Sequence, residues 1–92
     1  MNKIGWSPEK NLKLKAERNI SFEDVLSAFA QDKVLDDIDH PNQEKYTHQS
    51  VFIVEINNYA YVVPYIENDG EVFLKTIIPS RKMTKKYLGG KS

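Results

Sequence analysis

Ser21 to Ile38, SFEDVLSAFAQDKVLDDI, holds the change of rhythm from which the fold follows. Phe22, Val25, Leu26 and Phe29 fall at i, i+3, i+4 and i+7, so one face of a helix is apolar. Ser21 with Asp24 three residues on reads as a short-armed capping box, and Ile20 and Val25 are placed as a hydrophobic staple across it. From Val34 the helical period stops. Val34 to Ile38 reads as a first strand, ended by the turn chemistry of His40-Pro41-Asn42.

Downstream, Ser50 to Ile56 is β-rich, and Asn57-Asn58 suits a two-residue hairpin because Asn accepts positive φ. In the next strand Tyr59, Tyr61, Val63 and Tyr65 alternate with Ala60, Val62, Pro64 and Ile66, giving two faces. Pro64 cannot donate to a ladder, so the strand borders an edge or a bulge there. Asn68-Asp69-Gly70 predicts a turn, Glu71 to Ile78 a last strand broken by Pro79-Ser80, and Ser80 to Leu88 a short helix ended by Gly89-Gly90. Upstream, residues 1–6 read as an extended entry anchored by Ile4 and Trp6. Ser7-Pro8-Glu9 starts a helix that runs through Leu12 and Ala16 to a left-handed cap at Asn19. Helices gathered before a meander predict an α+β domain over 1–92: two N-terminal helices on a three- or four-stranded antiparallel sheet, then the short helix. Trp6, Phe22, Val25, Leu26, Phe29, Val51, Ile53, Val62, Phe73 and Ile77 are the expected core.

The chain has 92 residues, 40% hydrophobic and 28% charged, with no cysteine, which suits one globular domain without disulfides or thiolate metal sites. No apolar run reaches the length of a membrane span and no signal segment follows Met1, so a cytoplasmic protein is expected. Net charge is zero but unevenly spread. Residues 75–92 carry six cations and no anion, whereas residues 21–45 carry two cations against seven anions. A neutral total argues against strong non-specific nucleic-acid binding.

The cationic stretch is KTIIPSRKMTKKY, Lys75 to Tyr87, which places Arg81, Lys82, Lys85 and Lys86 at the rim of a sheet. A guanidinium's forked donors match phosphate or carboxylate. Asp36, Asp37, Asp39 and His40 do not make a metal site, because Asp36 and Asp37 point to opposite faces of a strand. His40 and His48 are too few for zinc, and neither a nucleophile elbow nor a phosphate-cradling glycine loop is present. Five tyrosines offer stacking surfaces. Tyr59 and Tyr61 suit a packed sheet face, while Tyr65 and Tyr87 are the better functional candidates.

Trp6-Ser7-Pro8-Glu9-Lys10-Asn11, Glu17-Arg18-Asn19-Ile20-Ser21-Phe22-Glu23-Asp24 and Ile77-Ile78-Pro79-Ser80-Arg81-Lys82-Met83-Thr84 occur in that order. Together they resemble the BrnT family of bacterial toxins, a branch of the RelE/ParE-like superfamily, across nearly the whole chain. Ser7 stands where the family has Asp, Pro79-Ser80 where it has Ser-Ala, and Tyr87 where an acidic residue is common. The resemblance implies a RelE-like fold and a type II toxin: a metal-independent ribonuclease that blocks translation. Its partner would be a co-encoded antitoxin, typically a ribbon-helix-helix DNA-binding protein. In such chemistry the RNA 2′-hydroxyl attacks its own phosphate. Arg81 is then expected to stabilise the phosphorane-like charge, Lys45, Lys82 and Lys85 to hold phosphates, and His48, Tyr65 or Tyr87 to move the proton. No cofactor is expected. The alternative is a non-catalytic module whose basic end docks a DNA-binding partner.

Overall fold

A computed structural model of the chain describes residues 3–39 and 49–89. It is an α+β domain with three helices and a mixed sheet. The elements in order are β1 (Lys3–Trp6), α1 (Pro8–Arg18), α2 (Phe22–Ala30), β2 (Val34–Asp39), β3 (Gln49–Ile56), β4 (Tyr59–Asn68), β5 (Glu71–Leu74), β6 (Ile78–Pro79) and α3 (Arg81–Leu88). The sheet order is β1-β5-β4-β3-β2, with the two-residue β6 pairing on β4 beyond the end of β5.

Local chemistry accounts for most of the boundaries. Ser7 caps α1 by accepting from Lys10 N, Pro8 occupies the first turn, and Asn19 closes the helix at φ 55°. Both halves of the Ser21/Asp24 capping box form at α2. Asn57 and Asn58 take φ 54° and 65°, the turn that twists correctly between β3 and β4; Asp69 and Gly70 do the same between β4 and β5. Asn11, almost wholly buried on α1, spends its side-chain oxygen on the free Phe22 amide (2.8 Å) and its nitrogen on Glu23 Oε1 (2.9 Å). One side chain thus satisfies an unpaired donor of α2 and fixes the angle between the helices.

Several expectations are corrected. The first six residues are not merely an entry: Lys3–Trp6 pairs with β5 in parallel, so the sheet is mixed, six-stranded and not three- or four-stranded antiparallel. These strand counts and this order also differ from the expected RelE-like arrangement. The last strand is interrupted. Ile77 is fully buried in a link between β5 and β6, while Ile78 is exposed and Pro79 lies inside β6. Phe73 is 45% exposed because Val72 and Leu74 take the inward positions of β5. Three consecutive apolar residues carry no alternation, and the face of β5 is set by the pairing of Leu74 with Tyr65. On α1 the buried residues are Asn11 and Leu14, and Leu12 is 66% exposed. Trp6, Leu26, Phe29 and Val62 are half-buried, whereas Phe22, Val25, Val51, Ile53 and Ile77 are buried as expected.

Two cores lie on opposite faces of the sheet. On one, Leu14, Phe22, Val25, Val54, Val63 and Leu74 join α1 and α2 to the strands, with Trp6 stacked on Phe22 at 5.5 Å. On the other, Val51, Ile53, Ala60 and Leu88 pack α3 against β3 and β4, with Leu35, Val62 and Met83 at the margin. Pro64 sits where β5 has ended and β6 has not begun. Its carbonyl accepts from Lys75 N there (2.8 Å), but it has no N–H to return the second bond of that pair, and the β4–β5 ladder ends at this point.

Candidate functional site

The cationic terminus becomes α3, and its first turn is anchored to a single buried residue of β4. Ser80 N donates to Ala60 O (3.0 Å), and Ala60 N donates to Thr84 Oγ1 (2.9 Å). Thr84 Oγ1 in turn donates to Ser80 O (2.7 Å), while Ser80 Oγ caps the helix by accepting from Met83 N (3.1 Å). The link before it is held as well: Arg18 Nη1, on α1, donates to Ile77 O at 2.7 Å. The start of α3 is therefore a rigid mount.

With about 3.6 residues per turn, Met83, Thr84, Tyr87 and Leu88 face the sheet, and Arg81, Lys82, Lys85 and Lys86 occupy an outer arc of roughly 140°. All four cations are exposed. Among the described residues Arg81, Lys82 and Lys85 form no ion pair, and the first turn of α3 contains no acidic residue. Arg81 and Lys82 thus sit at the positive end of a helix dipole, an arrangement disfavoured by about 0.3–1 kcal/mol per charge unless an anion is shared. The arc presents four positive charges to solvent.

The tyrosines have other work. Tyr87 lies on the inner side of α3, and its hydroxyl donates to Asp36 Oδ2 at 2.5 Å, latching the end of the helix to β2. That bond pulls the Asp36 carboxyl below its ordinary pKa, with Lys86 adding to the effect, and raises the pKa of the phenol. Lys86 also lies 5.3 Å from the centre of the Tyr87 ring. Tyr65 is buried on the opposite face, stacked on Phe52 at 4.0 Å, and donates to Asp37 Oδ1 at 2.6 Å. Burial, and then the Asp37 carboxylate, push its phenol far above the usual value. Both phenols are held neutral and neither is poised to take a proton near pH 7.

Of the residues expected in a site, the structure brings Arg81, Lys82 and Lys85 together and adds Lys86. It places Tyr65 on the other side of the sheet and turns Tyr87 inward. His48 and Lys45 lie outside the described residues. Asp36 and Asp37 do point to opposite faces, but each is a phenol's acceptor, which sequence reasoning missed; the signal was two adjacent acids on a strand with a tyrosine available to each face. Asn11, Arg18 and Thr84 were also missed as positioning residues. Among the described residues no group of three or more His, Asp or Glu side chains is placed to hold a metal ion, and no helix is long and apolar enough to cross a membrane.

Two open clefts lie elsewhere. One, of about 190 Å³, is lined by Asp24, Ser27, Gln31, Lys33, Glu55 and Asn57; the other, of about 260 Å³, by Lys3, Gly5, Glu71 and Phe73 among others. The chain matches no family model, no curated protein and no solved structure.

Proposed function

We propose that this chain is the toxin of a type II toxin–antitoxin module, a diverged BrnT-like member of the RelE/ParE-like class. It would act on RNA without a metal and be neutralised by a co-encoded antitoxin of ribbon-helix-helix type. The observation that carries the reading is the rigidly mounted outer face of α3, where Arg81, Lys82, Lys85 and Lys86 stand together without acidic neighbours on the helix. A planar guanidinium at the first position can grip a phosphate with two parallel bonds while the lysines hold its neighbours as point charges.

In the reaction the 2′-oxygen forms a bond to phosphorus, the bond from phosphorus to the 5′-oxygen breaks, and a cyclic phosphate and a 5′-hydroxyl result. Arg81 stabilises the charge that builds on the phosphate oxygens. The 2′-hydroxyl proton must be taken up and one supplied to the leaving oxygen. Tyr65 and Tyr87 are ill suited to the first of these transfers, which leaves His48, whose ordinary pKa suits neutral pH. Loss of one preorganised donor costs roughly 10²–10³ in rate. Arg81→Ala is therefore expected to stay folded yet abolish growth arrest and RNA cleavage on inducible expression. Arg81→Lys should recover little, and Lys85→Ala should remain largely toxic. A folded Arg81→Ala protein that arrests growth as the parent does would sink the assignment.

The neutral net charge and the two engaged phenols favour a second reading, a binding module without catalysis that docks a DNA-binding partner through the same cationic face. Expression of the chain alone would then leave growth and RNA intact, while the neighbouring gene product copurifies through an interface of at least about 1,000 Å².

A further inference from the structure

The face that carries α3 is only half covered. On β4 the residues of this face run Ala60, Val62, Pro64 and Ile66, and α3 packs over the first two. Phe73 lies opposite both Ile66 and Gly5 in the register, so it belongs to the same face, at the uncovered end. The residue is 45% exposed although β5 is flanked by β1 and β4. Beside it, Gly5 has no positive φ and a Cβ there would meet nothing within 4 Å. Neither backbone conformation nor packing among the described residues requires that glycine, and glycine weakens a strand. What its missing side chain leaves is open space against the Phe73 ring, within the cleft of about 260 Å³ that Lys3, Gly5, Glu71 and Phe73 line. That volume sits just under the usual range for small-ligand pockets, roughly 300–1,000 Å³, and suits one planar ring.

Two cations, Lys3 and Lys75, border the platform against one acid, Glu71. Lys75, whose amide continues the strand path by bonding to Pro64 O, is exposed two residues after Phe73. Lys3 shares the face with Gly5, and Glu71, opposite Lys3, is the single acid of the cleft lining. Phe73 and Ile78 oppose Ile66 and Val62, four residues apart on β4, or roughly 13 Å at about 3.3 Å per residue. Arg81 follows three residues after Ile78. An aromatic ring, then Lys75, then the cations of α3 lie along one face in that order.

Resting on the reading of the chain as an RNA-directed protein, we propose that Phe73 and Gly5 form a base-stacking platform for single-stranded RNA. One unpaired base lies on the Phe73 ring in the space over Gly5, and the strand runs past Lys75 towards Arg81. Stacking of this kind tolerates any base, because each has a π face. The platform would set where the strand enters and leave the chemistry to α3.

The test is fluorescence anisotropy with a short labelled oligoribonucleotide whose 2′-oxygens are methylated, so that it binds without being cleaved. Phe73→Ala is expected to weaken binding roughly five-fold to a hundred-fold, the effect of removing one base–aromatic stack. Gly5→Val, which favours the strand but fills the space, should weaken binding comparably with no loss of thermal stability. Phe73→Trp should bind as the parent does, with indole emission quenched by RNA beyond that of Trp6. If the parent binds and Arg81→Ala does not, while Phe73→Ala and Gly5→Val bind as the parent, the platform is wrong and the reading of α3 stands. If the parent binds no RNA, both fall. If the two substitutions release a copurifying protein and leave RNA binding unchanged, the face is a protein interface and the platform is overturned.

Discussion

Under α1 and α2 the sheet is closed, whereas under α3 it is half open. On the first face Phe22, Val25, Val54, Val63, Leu74 and Ile77 are all fully buried in one continuous cluster. On the second the buried set is Val51, Ile53, Ala60 and Leu88, and beyond it Phe73 and Ile78 meet solvent. The two Tyr–Asp pairs repeat the contrast: Tyr65 is buried on the closed face, Tyr87 half-buried on the open one. Stability is thereby concentrated on one side, leaving the other to carry a helix of cations and exposed apolar side chains.

The contrast breaks if the faces turn out energetically alike. Phe22→Ala, in the centre of the closed face, should cost about 3–5 kcal/mol, by urea unfolding. Leu88→Ala should lie nearer 2 kcal/mol, because the last turn of α3 can collapse into part of the space it leaves. Equal losses would mean that α3 is as deeply built into the fold as α2.

Next in size is Tyr65→Phe, expected to cost about 1–2 kcal/mol through the loss of a bond to a carboxylate. The folded-state pKa of Tyr65 lies above its ordinary value of 10.0, so this contribution is complete below pH 10 and is lost as pH rises further. The stability gap between parent and Tyr65→Phe should therefore close above pH 10; a gap constant to strongly alkaline pH would refute the buried pairing. The smallest effect belongs to Tyr87→Phe. Here Asp36 is the sharper reporter: its pKa is depressed in the folded state, so its share of stability is present above about 3.8 and lost as pH falls through the folded value. The parent should approach Tyr87→Phe in stability below pH 4, measured by thermal melting across an acid series.

Much of the chain was legible in the sequence where the cause is local. The Ser21/Asp24 box, the cap at Asn19, the Asn57-Asn58 turn and the start of α3 at Ser80 each depend on a few neighbouring residues and form as read. Phe73, by contrast, sits in Glu71-Val72-Phe73-Leu74, where no alternation marks a face. Lys3–Trp6 is too short and mixed to announce a strand. Each of its residues pairs with one 68 positions later, Lys3 with Glu71 for instance, and parallel pairing leaves no hairpin turn to signal it.

Sequence alone determined the helices, the hairpin turns, the α+β class and the cluster of cations at residues 81–86, since propensity, capping and charge act over one or two turns of chain. Only the tertiary structure decided which side of the sheet each element covers. That placement turned Asp36 and Asp37 into acceptors for two phenols, set Tyr65 apart from Arg81, and left Phe73 and Gly5 uncovered. Those outcomes depend on register between strands far apart in the chain, where a shift of one residue moves every side chain to the other face.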